Sequence, residues 1–339
     1  MAENSQKILL AHGGGGQLTE QLIRNLIQPS IKQDSRTPLK DSAEVDIKNR
    51  KVLFTTDSYV VKPLFFNGGD IGKLSVCGTV NDLAVCGAKP VAMSLSLIIQ
   101  EGFRIESLGK ILKSIGEAAE DNDVKIVTGD TKTVESGAAE GVYINTAGIG
   151  VPLPDVSLGF EHIEPGDKII INGSLGDHGM AIMTQREDIG FASKIKSDCA
   201  GLGKLICPIL TSCGGVRFLR DLTRGGLAMA INEIAKNSGF DVELDQNYIP
   251  VNPSVQAAAD VLGLDVLNIA NEGKFVAVVS PGNSNEFLNK CREHPLGRDS
   301  AIIGEIKQGS KNPIVELKTT IKGKRIVQIP YGRDLPRIC

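Results

Sequence analysis

Gly68-Gly69-Asp70-Ile71-Gly72-Lys73-Leu74-Ser75-Val76-Cys77-Gly78-Thr79-Val80-Asn81-Asp82-Leu83-Ala84-Val85-Cys86-Gly87-Ala88-Lys89-Pro90 is the stretch that decides the fold class. Asp70 can accept from the free N–H groups of a first helical turn and Gly87 can end a helix, so the spacing predicts a helix between them. Leu74, Cys77 and Val80 recur at helical intervals on one face. Asn81 and Asp82 lie inside this apolar helix, and a carboxylate so placed is not surface decoration. Working outward, residues 91–99 read as a buried strand, and Leu108, Ile111, Leu112, Ile115 and Ala119 as an amphipathic helix. Residues 125–128 read as a further strand, with 52–56 a β-rich run upstream and 140–150 the last strand of this half. Strands and helices alternate along this half.

Val151-Pro152-Leu153-Pro154-Asp155 is the natural linker. Beyond it, 168–171, 240–244, 275–279, 301–306, 314–317 and 325–329 read as strands. Gly176-Asp177-His178-Gly179 heads one helix, Arg224-Gly225-Gly226 heads another, and 253–263 is a third. Residues 186–200, with Asp198 and Cys199, show no period and read as a mobile loop.

Carboxylates recur where strands end among glycines. Asp57 closes the run 52–56, and Asp130 follows the strand 125–128 with Thr131 and Lys132 beside it. With Asp82 they form the kind of set a hard divalent ion on a polyphosphate takes, since Mg²⁺ accepts one or two carboxylates plus phosphate oxygens. For any one of them, turn or cap chemistry is the competing reading. Asp41 sits on a loop upstream. His12-Gly13-Gly14-Gly15-Gly16 precedes a helix and exposes backbone N–H groups to an anion, although it is not a P-loop and could equally be a flexible linker. Asp221 and Arg224 beside Gly225-Gly226 read as another phosphate or metal contact, or as capping. Glu272 before Gly273 is either a positioned base or a solvated turn residue.

The 339 residues suggest two domains. Aromatic residues make up 4% and Trp is absent, which argues against base-stacking on single-stranded nucleic acid. A net charge of −3 without a basic run leaves no footprint for DNA, RNA or anionic lipid. No run reaches the roughly 18 apolar residues of a membrane span, and Met1 to Lys7 lacks a signal peptide's pattern, so a cytoplasmic protein is expected. Seven scattered cysteines with four histidines signal neither a disulfide framework nor a zinc site. The chain ends Pro330-Tyr331-Gly332-Arg333-Asp334-Leu335-Pro336-Arg337-Ile338-Cys339, which cannot be helical and should be extended and movable. Its thiol can act as a nucleophile from an arm that visits more than one site, or it caps a frayed terminus.

Thr55-Thr56-Asp57, Asn81-Asp82-Leu83-Ala84 with Gly87-Ala88-Lys89-Pro90, Thr128-Gly129-Asp130-Thr131, and Asp221 with Thr223-Arg224-Gly225-Gly226 together resemble the aminoimidazole ribonucleotide synthetase (PurM-like) superfamily of ATP-using enzymes. With His12-Gly13-Gly14-Gly15-Gly16 ahead and Pro336-Arg337-Ile338-Cys339 behind, the chain is similar within it to the carbamoyl dehydratases of hydrogenase maturation. The resemblance covers essentially the whole chain. It implies a mobile glycine-rich segment (1–39) closing over phosphates and an α+β ATP-binding domain (40–152) that shares a β-barrel across a homodimer. It further implies an α/β C-terminal domain (153–329) and a flexible tail (330–339).

It implies ATP and Mg²⁺ as cofactors, with Asp57, Asp82, Asp130 and Asp221 as metal ligands. Gly13, Gly14, Gly15, Gly16, Asp41, Asp57, Asp82, Asp130, Thr131 and Arg224 are the implied nucleotide contacts. Cys339 is the implied carrier, with Lys132 and Glu272 assisting proton removal. The implied reaction dehydrates a carbamoyl group on Cys339 to a thiocyanate, supplying the cyanide ligand of the [NiFe]-hydrogenase iron. HypF is the implied carbamoyl donor and a HypC–HypD iron scaffold the implied acceptor. Ser42 stands where the superfamily often has a second Asp, and Leu222 where proline is usual. A small-molecule synthetase of the same superfamily would not need Cys339. A nucleotide-gated scaffold would tolerate its loss.

Overall fold

The computed structural model describes residues 8–14, 16–32, 38–48, 50–186, 194–309, 311–331 and 338–339. Near the start, α1 (Gln17–Leu22) continues through a π-helical turn at Ile23–Ile27 into α2 (Gln28–Ser30). The first sheet uses β1 (Ala43–Ile47) and β2 (Arg50–Tyr59). A hairpin of β3 (Phe65–Phe66) and β4 (Gly69–Asp70) then leads into α3 (Ile71–Val85). Next come β5 (Ala88–Gln100), α4 (Ile105–Asp121), β6 (Lys125–Val134) and β7 (Val142–Pro152). The spatial order is β1-β2-β7-β5-β6, antiparallel except for β5 with β6.

Asp70 caps α3 as its position predicts, accepting from Gly72 N at 2.6 Å and Lys73 N at 3.1 Å. The helix is buried on every side rather than on one face, because the sheet covers one side and the second domain the other. That double cover is why Asn81 and Asp82 lie in the interior. On β2 the alternation is strict: Leu53, Thr55 and Tyr59 point to α3, whereas Phe54, Thr56 and Ser58 are exposed on the opposite face.

The second domain adds β8 (Lys168–Ile171), α5 (Asp177–Thr184), α6 (Gly203–Ser212), β9 (Val216–Asp221), α7 (Gly226–Ser238) and β10 (Asp241–Asp245). It continues with α8 (Pro253–Leu262), β11 (Phe275–Val279), α9 (Ser284–Glu293), β12 (Ala301–Lys307), β13 (Val315–Lys318) and β14 (Lys324–Ile326). Its mixed sheet runs β14-β13-β10-β12-β8-β11-β9. β11 is buried at every position because α5, α7 and α8 cover one face and α6 and α9 the other. The architecture is the expected two-domain α/β one. The first sheet is open within one chain, so closing a barrel requires strands from elsewhere.

Three local expectations change. Asp57 lies inside β2, which runs on to Tyr59, and Asp130, Thr131 and Lys132 lie inside β6, which runs on to Val134. Thr-Asp and Asp-Thr pairs look like strand ends because Asp disfavours strands, but ladder pairing overrides that propensity. Of the segment expected to be a mobile loop, residues 186 and 194–200 are described, and 194–200 is a fixed crossing with Ile195 and Cys199 buried. The tip of the expected flexible tail is seated in the body: Ile338 is 4% exposed and belongs to the first domain's core cluster.

Candidate active site

Three carboxylates converge where the domains meet. Asp41 comes from the loop before β1, Asp82 from α3 and Asp221 from the end of β9, and one oxygen of each lies within 4.8 Å of the others. Thr55 Oγ1 is 2.7 Å from both Asp82 Oδ2 and Asp41 O. A hydroxyl has one proton, so both bonds are complete only when Asp82 also carries one. Asp57 adjoins the group, hydrogen-bonded to Asp82 and accepting from Tyr59 Oη at 3.2 Å.

Burial raises the pKa of all four, most strongly for Asp82 and Asp221, and their mutual repulsion adds to it for Asp41, Asp82 and Asp221. Arg220 offsets part of this through its ion pair with Asp41, Nε to Oδ1 at 3.1 Å, and Arg224 acts on Asp57 and Asp221. Crowded, buried oxygens with too few cations to match fit a hard divalent ion such as Mg²⁺.

Glu272 lies beside this group, 2% exposed, on the loop entering β11. Among the described residues its Oε1 has no hydrogen-bond partner. Burial, then Asp221, Asp198 and Asp57, drive its pKa well up, and Arg224 opposes them. Its backbone is fixed: Glu272 N donates to Asp198 Oδ1 at 3.2 Å, Gly273 N donates to Asp198 Oδ2 at 3.2 Å, and Asn81 Nδ2 donates to Glu272 O at 3.3 Å. Gly273 is needed there, since a Cβ would lie 2.0 Å from Asp198 O.

Cys339 enters the same pocket. Val60 N donates to Cys339 O at 3.2 Å. Burial pushes the thiol pKa up to about 12, against the pull of Arg224 and with Glu272, Asp57 and Asp221 adding to the rise. Arg224 in turn is raised most by Cys339. Ile338 and Cys339 therefore dock into the body of the same chain, with the Cys339 side chain among Arg224, Glu272 and the carboxylates.

The other expected residues fall in two places. Gly13 borders Arg224, whose Nη1 is 3.5 Å from Gly13 O; Gly14 and Gly16 follow it in the chain, and Gly15 lies outside the described residues. Asp130, Thr131 and Lys132 are not brought to the pocket within one chain. They are exposed on β6, where Lys132 Nζ pairs with Asp130 Oδ1 at 2.9 Å. Sequence reasoning assigned no role to Arg220, Asn81, Asp198 or His178. Asn81 was signalled by its place in an apolar helix, and His178 by its place in a glycine-rich helix start.

Sequence models described as AIR synthase related protein, N-terminal and C-terminal domains, match residues 39–152 and 164–315. The carbamoyl dehydratase HypE of Bradyrhizobium diazoefficiens is 46% identical over 97% of this chain and 95% of its own length. The chain belongs to the HypE family of carbamoyl dehydratases. The HypE of Escherichia coli K12 is 41% identical over 98% of this chain and 99% of its own length. A HypE–HypF complex contains a chain similar at TM-score 0.85 and 43% identity, covering 91% of this chain and 99% of that one. A HypE solved with ATP matches at TM-score 0.82 and 38% identity, covering 98% of this chain and all of that one.

Proposed function

We propose that this chain is an ATP-dependent carbamoyl dehydratase whose substrate is the carbamoyl group on its own Cys339. The supply of a cyano ligand for a hydrogenase iron centre follows from the family. The observation that carries the reading is the seating of Cys339 beside Arg224, the carboxylate cluster and Glu272, whose Oε1 has no partner among the described residues. A thiol pushed up to about 12 is a poor nucleophile, so the docked tail is not where the carbamoyl group is acquired. Acquisition needs an extended tail reaching a donor, and the HypE–HypF complex of relatives supports HypF in that part. Docking then carries an uncharged S-carbamoyl group into a pocket that disfavours a thiolate.

The chemistry is a dehydration. The carbamoyl oxygen attacks the γ-phosphorus of ATP, ADP leaves, and one N–H proton is removed. The C–O bond then breaks with loss of phosphate and the second N–H proton, leaving a thiocyanate. Such a transfer depends on positioning and charge neutralisation more than on covalent help. Asp41, Asp82 and Asp221, with Asp57 adjoining, would hold Mg²⁺, which when bound neutralises phosphate charge. Arg224 faces the reacting group as a fixed cation, and Gly13, whose carbonyl meets Arg224, would bring the glycine-rich segment to the phosphates. Glu272, raised by burial, is the base for an N–H proton, and Asn81 and Asp198 hold its backbone.

Lys132 and Asp130 join this scheme through a second copy of the chain. The outer face of the first sheet exposes Phe54, Ile98, Ile149 and Val151, an apolar surface suited to a homodimeric barrel. Release of the cyano group to a HypC–HypD acceptor completes the cycle in the cytoplasm. Among the described residues no helix is long and apolar enough to cross a membrane. The test is phosphate release from ATP by carbamoylated protein: one phosphate per carbamoylated Cys339 is expected, and equal release by Cys339→Ala contradicts the reading.

A further inference from the structure

His178, the second residue of α5, is fully buried and grips the tail by its backbone. Its Nε2 lies 2.6 Å from Ile338 O and its Nδ1 lies 2.8 Å from Ser197 Oγ. Ser197 Oγ accepts from Cys199 N at 3.0 Å, which leaves the hydroxyl proton for His178 Nδ1. The chain of donors therefore puts the imidazole proton on Nε2, pointing at the Ile338 carbonyl. Ser197 is itself fixed through its N–H to Asn67 O at 2.7 Å, and the edge of one ring meets the face of the other between His178 and Phe66, with centroids 5.5 Å apart.

α5 is also tied to the loop that carries Glu272. Gly176 N donates to Asn271 Oδ1 at 2.8 Å and Gly179 N donates to Ala270 O at 3.0 Å. The next residue of the same crossing, Asp198, holds the Glu272 and Gly273 N–H groups. The grip on the tail and the candidate base thus share one rigid unit.

We propose that His178, oriented by Ser197, is a positioning residue that sets the register of the tail, holding the Ile338 carbonyl so that the Cys339 side chain stops beside Glu272. The proposal rests on the dehydratase reading for its purpose, but its direct readout is tail docking, which is measurable without turnover. A residue that only filled space would be replaceable by an apolar side chain. A carbonyl grip is replaceable by glutamine, whose Nε2 stands near the position of the histidine Nε2.

The experiment alkylates full-length protein with iodoacetamide at pH 8 and follows each cysteine by peptide mass spectrometry. In His178→Leu, Cys339 should react about tenfold faster, the scale of one buried hydrogen bond, while Cys291 in the second domain's core stays protected. His178→Gln should remain within about threefold of wild type. In the carbamoyl-dependent reaction, kcat for dehydration should fall in His178→Leu because the docked tail loses its register, with carbamoyl transfer onto Cys339 unchanged. Unaltered Cys339 reactivity in His178→Leu overturns the proposal. Should Cys291 open as well, the half-buried Ser197→Ala decides: about threefold acceleration confined to Cys339 supports the grip, and no change overturns it. Loss of dehydration with normal docking would count against the dehydratase reading instead.

Discussion

Replacing Ile338 with Ala separates docking of the tail from stability of the body. The side chain is 4% exposed in a cluster with Tyr59, Val61, Phe66, Ile182, Cys199 and Ala270, drawn from both domains. Truncation removes three carbons, worth about 2.4 kcal/mol at about 0.8 kcal/mol per buried CH₂. A permanent core residue would pass that loss, plus a cavity penalty, to global stability. A docked tail can leave instead, so the loss should appear in the docking equilibrium. By the tenfold per ~1.4 kcal/mol relation, the docked-to-free ratio falls about 50-fold. Iodoacetamide should then label Cys339 up to about 50-fold faster, and single-turnover dehydration should slow once the free tail predominates. The melting temperature should move by no more than about 1 °C. Unchanged labelling together with a drop of several degrees would show that Ile338 is ordinary core and refute the reasoning.

The pH dependence of the same labelling follows from the thiol. Docking raises its pKa from 9.0 to about 12, so the docked state holds a proton that the free tail releases, and docking is weakened as pH rises from 9 through 12. Labelling of Cys339 should keep climbing about tenfold per pH unit beyond 9, whereas Ile338→Ala should level off near the ordinary thiol value; a plateau near 9 in the wild type contradicts this. Asp82→Asn should stabilise the cation-free protein by about 1 kcal/mol near pH 8, roughly 2–4 °C, and by little near pH 3, below the unfolded carboxylate value. A raised carboxylate pKa lowers stability as pH rises above the unfolded value. Calorimetry in EDTA measures it, and a loss of stability at pH 8 would argue against crowding in the cluster. The same variant should lose the further stabilisation that Mg²⁺ with ATP gives the wild type.

The helix opened by Asp70 and the apolar run of β11 were legible because capping and burial leave local patterns. So was the interior placement of Asp82, a carboxylate within an apolar helix. What joins Asp82 was not legible. Asp41 and Asp221 come from a loop and a distant strand, and only tertiary packing shows that they meet while Asp130 stays on an exposed strand. Residues 194–200 lacked any period because their order comes from side-chain bonds to remote backbone, as with Asp198 and the Glu272 loop. Seating of the tail depends on Ile338 finding a core and on His178 and Val60 holding its backbone, which a sequence rich in proline and glycine does not announce.

The central claim is that Cys339 carries the reacting group into the pocket formed by the rest of the chain. Intact-mass spectrometry after incubation with ATP, Mg²⁺, carbamoyl phosphate and the cognate carbamoyltransferase tests it directly. The account predicts a carbamoyl adduct on Cys339 that becomes lighter by one water in the wild type and persists unchanged in Glu272→Gln. A dehydrated adduct that still forms in Cys339→Ala, or at the wild-type rate in Glu272→Gln, would contradict it.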